Sequence, residues 1–144
     1  MARSKTKFDI PLAQKVAMDR AMKGVRAATI EAKRIAQVDI LSSDPPRTGR
    51  KYKRGKSKFH IASAPEESPA PDTGQLRALV NVEFESNGTI ARGVVFNNLE
   101  KALALETGTI KDGKFIAPRP WISRLLGGEF VSRIKGAFVR AAGL

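Results

Sequence analysis

In 144 residues the chain carries 26 lysines and arginines against 14 acids, one histidine and no cysteine, for a net charge of +12. Such a chain has no disulfide framework, thiolate nucleophile, thiolate metal site or histidine cluster, and no apolar run reaches the roughly 18 residues needed to span a bilayer. One domain with its own core is expected; the start Met1-Ala2-Arg3-Ser4-Lys5 lacks the apolar stretch of a signal peptide, so a soluble, non-exported chain with no membrane partner is expected.

The first predicted element is one long helix over 9–41. Met18, Met22, Val25, Thr29, Ala32 and Ile35 follow three- and four-residue steps, while Lys15, Arg20, Lys23, Arg26, Lys33 and Arg34 fall mostly elsewhere on the wheel. Asp9 is a candidate N-cap and Pro11 suits the first turn. Gly24 costs about 1 kcal/mol relative to alanine.

Residues 42–75 read as a long, extended basic and proline-rich arm with prolines at 45, 46, 65, 69 and 71. Only Lys58–Ser63 has a short-strand pattern. A connection of this length is usually a functional arm or a disordered segment. The charge concentrates here: residues 1–65 hold sixteen basic and five acidic side chains, net +11, whereas 66–144 hold ten and nine, net +1. Arg47, Arg50, Lys51, Lys53, Arg54, Lys56 and Lys58 follow one another without an intervening acid, which implies a polyanionic neighbour, either nucleic acid or an acidic protein surface. The glycines around them lack phosphate-loop spacing. A solvated basic loop is one reading of this segment and contact with DNA or an acidic partner the other, in which Tyr52 is a candidate to stack on a base.

Antiparallel strands are predicted over 76–109. Leu76, Ala78, Val80, Val82 and Phe84 alternate with polar residues, Ser86-Asn87-Gly88 supplies a turn, and Ile90–Asn97 returns. Ala102–Thr107 is expected as a third short strand or extended segment leading into Gly108. Ala117–Pro120 should be a stiff connector, because Pro118 and Pro120 fix their own φ and extend the residues before them. A C-terminal helix then runs to about 142 on the stripe Trp121, Ile122, Leu125, Leu126, Phe130, Ile134 and Phe138, kinked or broken at Gly127-Gly128. The fold class expected is therefore α+β: long helix, long basic loop, small antiparallel sheet, C-terminal helix.

No motif forms a catalytic constellation, metal cage or cofactor site. Asp72-Thr73-Gly74-Gln75-Leu76 reads as turn chemistry before a strand. Glu106-Thr107-Gly108-Thr109 reads as a turn ending a strand, with Glu106 a possible partner of Arg119. Trp121 reads as a core or subunit-interface anchor, and His60 as a residue making one hydrogen bond.

Taken in order, Pro46-Arg47-Thr48-Gly49-Arg50, Tyr52, His60-Ile61-Ala62-Ser63-Ala64-Pro65, Pro69-Ala70, Asp72-Thr73-Gly74-Gln75-Leu76, Leu105-Glu106-Thr107-Gly108-Thr109 and Pro118-Arg119-Pro120-Trp121 resemble the neck and tail-completion proteins of long-tailed double-stranded DNA phages. These are also called head–tail joining or minor tail proteins. The resemblance covers roughly residues 45–125. Trp121 stands where Phe is commoner, and Gly127-Gly128 interrupts a helix usually richer in helix formers. The resemblance implies a non-enzymatic virion component, assembled in the host cytoplasm. It implies a homo-oligomeric ring, hexameric or dodecameric, between head-connector and tail proteins, with genomic DNA in the lumen. The basic arm would then order on contact with DNA or a neighbouring ring. A different expectation from the same charge is a cellular nucleic-acid-binding protein.

Overall fold

The computed structural model describes residues 10–44 and 46–144. Helix α1 spans Ile10–Ile35 and widens into a π-helical turn, Ala36–Ile40, closed by the Leu41 amide donating to the Ala36 carbonyl at 2.9 Å. Its apolar stripe lies where the spacing predicts, with Thr29, Ala32 and Ile35 buried and Met18, Met22 and Val25 half-buried. The Thr29 hydroxyl donates to the Val25 carbonyl at 2.7 Å, so a polar group sits on an apolar face without an unmet bond. Asp9, the expected N-cap, lies outside the described residues.

The segment after the π-turn is not a structureless arm. Strands β1 (Lys51–Arg54) and β2 (Lys58–Ile61) form an antiparallel hairpin in the register Lys51↔Ile61, Tyr52↔His60, Lys53↔Phe59, Arg54↔Lys58. Gly55, at φ 69°, supplies the left-handed position that the reversal needs.

Order then resumes as a short helix, α2 (Gln75–Ala78), rather than as a strand from Leu76. Gly74 at φ 76° precedes it, and β3 begins at Val80. Strand β3 (Val80–Ser86) pairs with β4 (Ala91–Asn97) from Val80↔Asn97 to Ser86↔Ala91. Their four-residue loop is organised by Asn87, whose Oδ1 accepts from the Thr89 and Ile90 amides at 3.2 and 2.9 Å.

The expected strand at Ala102–Thr107 is a helix, α3 (Glu100–Thr107). Its sequence Glu-Lys-Ala-Leu-Ala-Leu-Glu is rich in strong helix formers, and the Asn97 side chain orders the approach by accepting from the Leu99 amide at 2.9 Å. A further hairpin, β5 (Thr109–Lys111) and β6 (Lys114–Ile116), follows directly. The strands thus form three separate two-stranded sheets rather than one.

After Pro120 a 3-10 turn, Ser123–Leu126, precedes α4 (Gly128–Ala142), so the break falls at Gly127. Helix α4 lies antiparallel along α1, with Phe138 over Gly24 and Arg133 joined to both Glu31 at 3.2 Å and Asp39 at 3.0 Å. Ala32, Ile35, Ala36, Ile40, Leu41, Val80, Ala102, Trp121 and Leu125 make the buried core, at the end of α1 where β3, α3 and the segment before α4 meet it. The molecule is an α+β domain with a long N-terminal helix, small antiparallel sheets and a C-terminal helix.

Candidate functional site

The basic run becomes a surface because two acidic side chains pin it. At the base of the β1–β2 hairpin the Glu67 carboxylate accepts from the Thr48 amide at 3.1 Å and the Ala64 amide at 2.8 Å, as well as from the Thr48 hydroxyl. The Thr48 hydroxyl is the main cause holding the Glu67 carboxyl below its ordinary range, with the two amides adding to it. The Gly49 amide donates to the Ala62 carbonyl at 3.0 Å and the Ala62 amide to Arg50 at 3.1 Å, continuing the ladder below the strands. Nearer the tip, Arg54 forms an ion pair with Asp72.

Residues opposite one another in an antiparallel pair share a face. One face of the hairpin therefore carries Tyr52, His60, Arg54 and Lys58, and the other carries Lys51, Lys53, Phe59 and Ile61. On the first, the Tyr52 and His60 rings stand 5.2 Å apart and His60 Nδ1 lies 3.9 Å from Asp72 Oδ1. Tyr52 and His60 line a cleft of about 240 Å³ together with Asp72, Thr73, Gly74 and Arg119. On the second, Lys51 Nζ stands 4.6 Å from the Phe59 ring centroid, and all four side chains are exposed. Arg50 and Lys56, on the flank and in the turn, are exposed too.

Seven of the eight residues expected to contact a partner are therefore brought together on the hairpin. Arg47 is not among them. Its guanidinium turns inward and donates to the carbonyls of Ile40 at 3.1 Å and Ser42 at 3.0 Å, tying the end of the π-turn to the start of the hairpin. Burial lowers its pKa from the ordinary arginine value, opposed by the nearby Glu67 charge. Arginine nevertheless stays protonated.

Glu106 does not pair with Arg119. Its Oε2 accepts from the amides of Trp121 at 2.8 Å and Ile122 at 3.0 Å, and its Oε1 from that of Ser123 at 3.1 Å. Proline at 118 and 120 leaves this stretch extended until it turns, so the 3-10 turn presents its first amides together, and a carboxylate is the natural cap for them. Burial pushes the Glu106 carboxyl up, but the bonds from Ser123, Trp121 and Ile122 together outweigh it and hold the group below its ordinary range. Arg119 instead donates to the Ser63 carbonyl at 3.0 Å and that of Ala117 at 3.2 Å, while its own amide donates to Leu105. Trp121, 3 % exposed, donates its indole N–H to the Ala102 carbonyl at 3.2 Å. Gly108, at φ 77°, makes the turn from α3 into β5.

The separated motifs thus converge. Asp72 holds the hairpin tip, Arg119 reaches the strand leaving it, and Glu106 and Trp121 fasten the C-terminal segment to α3. Sequence reasoning missed Glu67, Phe59 and Ile61. Glu66 and Glu67 are the first acids after the basic run, and Phe59 alternates with its lysines, so both signals were present. Among the described residues no group of three or more His, Cys, Asp or Glu side chains gathers to hold a metal. The chain matches no protein-family model, no curated protein and no solved structure.

Proposed function

We propose that the chain is a non-enzymatic structural subunit of a phage head–tail junction. It assembles into a ring through which DNA passes, with the β1–β2 hairpin facing the DNA or an adjacent ring. The observation that carries this reading is the ordered motif set from Pro46 to Trp121, whose members meet at one junction beneath the hairpin.

The test is replacement of Lys51, Lys53 and Lys56 by alanine, leaving Arg54 in its ion pair. Each side chain is exposed, so the far-ultraviolet circular dichroism and melting temperature stay unchanged while the yield of joined, infectious particles falls. Normal particle yield would sink the reading.

The interleaving of Tyr52 and Phe59 with lysines supports a second reading, a cellular nucleic-acid-binding protein. That reading requires the free chain to bind DNA or RNA with an affinity that falls steeply with salt. The triple variant would reduce the slope by about 0.9 per lost phosphate contact. The virion reading requires weak binding by the free subunit.

A further inference from the structure

The exposed face of the β1–β2 hairpin is built in two columns of unlike chemistry. Lys51 and Lys53 stand on β1, and Ile61 and Phe59 stand directly opposite them on β2. Phe59 is 62 % exposed and Ile61 44 %, and among the described residues neither lysine has an ion pair. A phosphate backbone would neutralise the lysines and leave the two apolar side chains in water. One side of the Phe59 ring is already taken by Lys51 Nζ, 4.6 Å from its centroid, which leaves a base less of it to stack on. The partner this face fits is a protein surface with acids in one column and apolar groups in the other.

The same chain carries such a surface on its β3–β4 hairpin. One face of that hairpin packs on α1, where a Cβ at Gly93 would meet Thr29 and Arg26 lies 5.2 Å from the Phe84 ring centroid. Glu83 and Glu85 therefore share the opposite face with Val94 and Arg92, their cross-strand partners, and with Phe96 one step further on. Both acids are exposed, and Val94 and Phe96 are half-buried. Residues two apart on a strand are separated by roughly 7 Å, so Lys51 and Lys53 have the spacing of Glu83 and Glu85. With lysines over acids, the Ile61 and Phe59 column falls on Val94 and the stem of Arg92, a step from Phe96. Arg92 stands 3.6 Å from Glu85, an exposed pair that contributes little, and Glu83 has no ion pair among the described residues.

We propose that this face of β1–β2 docks on the Glu83 and Glu85 face of β3–β4 in a second copy of the chain, lysine column on acid column and apolar on apolar. The inference rests on the ring reading and names the neighbour of this hairpin face. Arg50 and Lys56, on the flank and in the turn, are left for DNA or an adjacent ring. The two faces lie on different hairpins, so each copy offers one of each, and the contact repeats around an axis instead of closing as a symmetric pair. Charge also sets the alignment, because turning either hairpin about would place lysines on Arg92.

Charge exchange tests the contact. Lys51→Glu with Lys53→Glu makes both faces acidic, and Glu83→Lys with Glu85→Lys makes both basic. Either reversal should weaken association at low salt by about tenfold or more, read from the mass in solution, and should lower the yield of joined particles. All four changes in one chain, or a mixture of the two reversed chains, should restore both. Circular dichroism and melting temperature check the fold, and Glu83→Lys alone, which keeps Glu85 beside Arg92, serves if the double change lowers the melting temperature. Reversed acids that leave association and yield normal, or a four-change variant as defective as the lysine reversal, overturn the joint and leave the ring standing. The second result, with wild-type binding of a duplex oligonucleotide that the lysine reversal abolishes, would assign the face to nucleic acid instead. Normal particle yield from the lysine reversal itself overturns the joint and the head–tail reading together.

Discussion

Glu106 is the residue on which the C-terminal half depends most clearly. One partly buried carboxylate satisfies three consecutive amides, and hydrogen bonds to a charged group contribute about 1.5–3 kcal/mol. Glu106→Ala should therefore destabilise by about that amount in urea titrations, and Glu106→Gln by less, since the amide retains one acceptor oxygen. The depressed carboxyl also fixes the pH dependence. Its contribution is fully present above the unfolded value near 4.5 and is lost as pH falls through the lower folded value. Glu106→Gln should flatten that acid limb, and an unchanged limb would show that other carboxyls set it. Trp121→Ala leaves a large void in the core and removes the indole bond to the Ala102 carbonyl, and should cost about 3–5 kcal/mol.

At the scale of elements, glycines of the two long helices should respond to alanine with opposite signs. A Cβ at Gly24 of α1 would stand 2.7 Å from the Phe138 ring, so the ring or the α1–α4 spacing must shift. Overpacking of this kind costs about 1–3 kcal/mol, which exceeds the gain of about 1 kcal/mol in helix propensity. At Gly136 of α4 the new methyl meets only the end of the Arg140 side chain, at 3.1 Å, so the gain is realised. Thermal melts of the two variants should move in opposite directions. Gly93→Ala belongs with Gly24, because its Cβ would collide with the Thr29 hydroxyl and lie 3.0 Å from Thr29 Cβ. The same elements show what periodicity carries. The stripes of α1 and α4 and the alternation of β3 were legible because each buries one face. Ala102–Thr107 was not, since the periodicity of so short an apolar run does not separate strand from helix, although its alanines, leucines and glutamate favour the helix that forms. Arg47 and Glu106 were misread for a related reason. Both are charged groups whose partners are backbone carbonyls or amides brought near by the fold, and sequence spacing does not encode those partners.

For the molecule as a whole, the large side chains at most 3 % exposed among the described residues are Ile35, Ile40, Leu41, Val80 and Trp121. Ile10, Leu12, Val16, Leu103, Ile110, Phe115 and Leu126 remain exposed. A core this modest gives a subunit that should gain stability on association. If the ring forms, the melting temperature of the wild type should rise with protein concentration over a hundredfold range, a trend calorimetry would register; a constant midpoint would mean that the isolated chain already carries its full stability. The β1–β2 pairing has a further consequence for how any partner is met. Lysines on a loose arm would have to order as they bind, burying on the order of 1,000–3,000 Å² with a correspondingly large negative change in heat capacity. Lysines already fixed in strand register, with Glu67 closing the base and Asp72 holding the tip, have little left to order. Titration calorimetry at several temperatures should therefore give nearly parallel enthalpies, and the signature of engagement should be ionic rather than thermal.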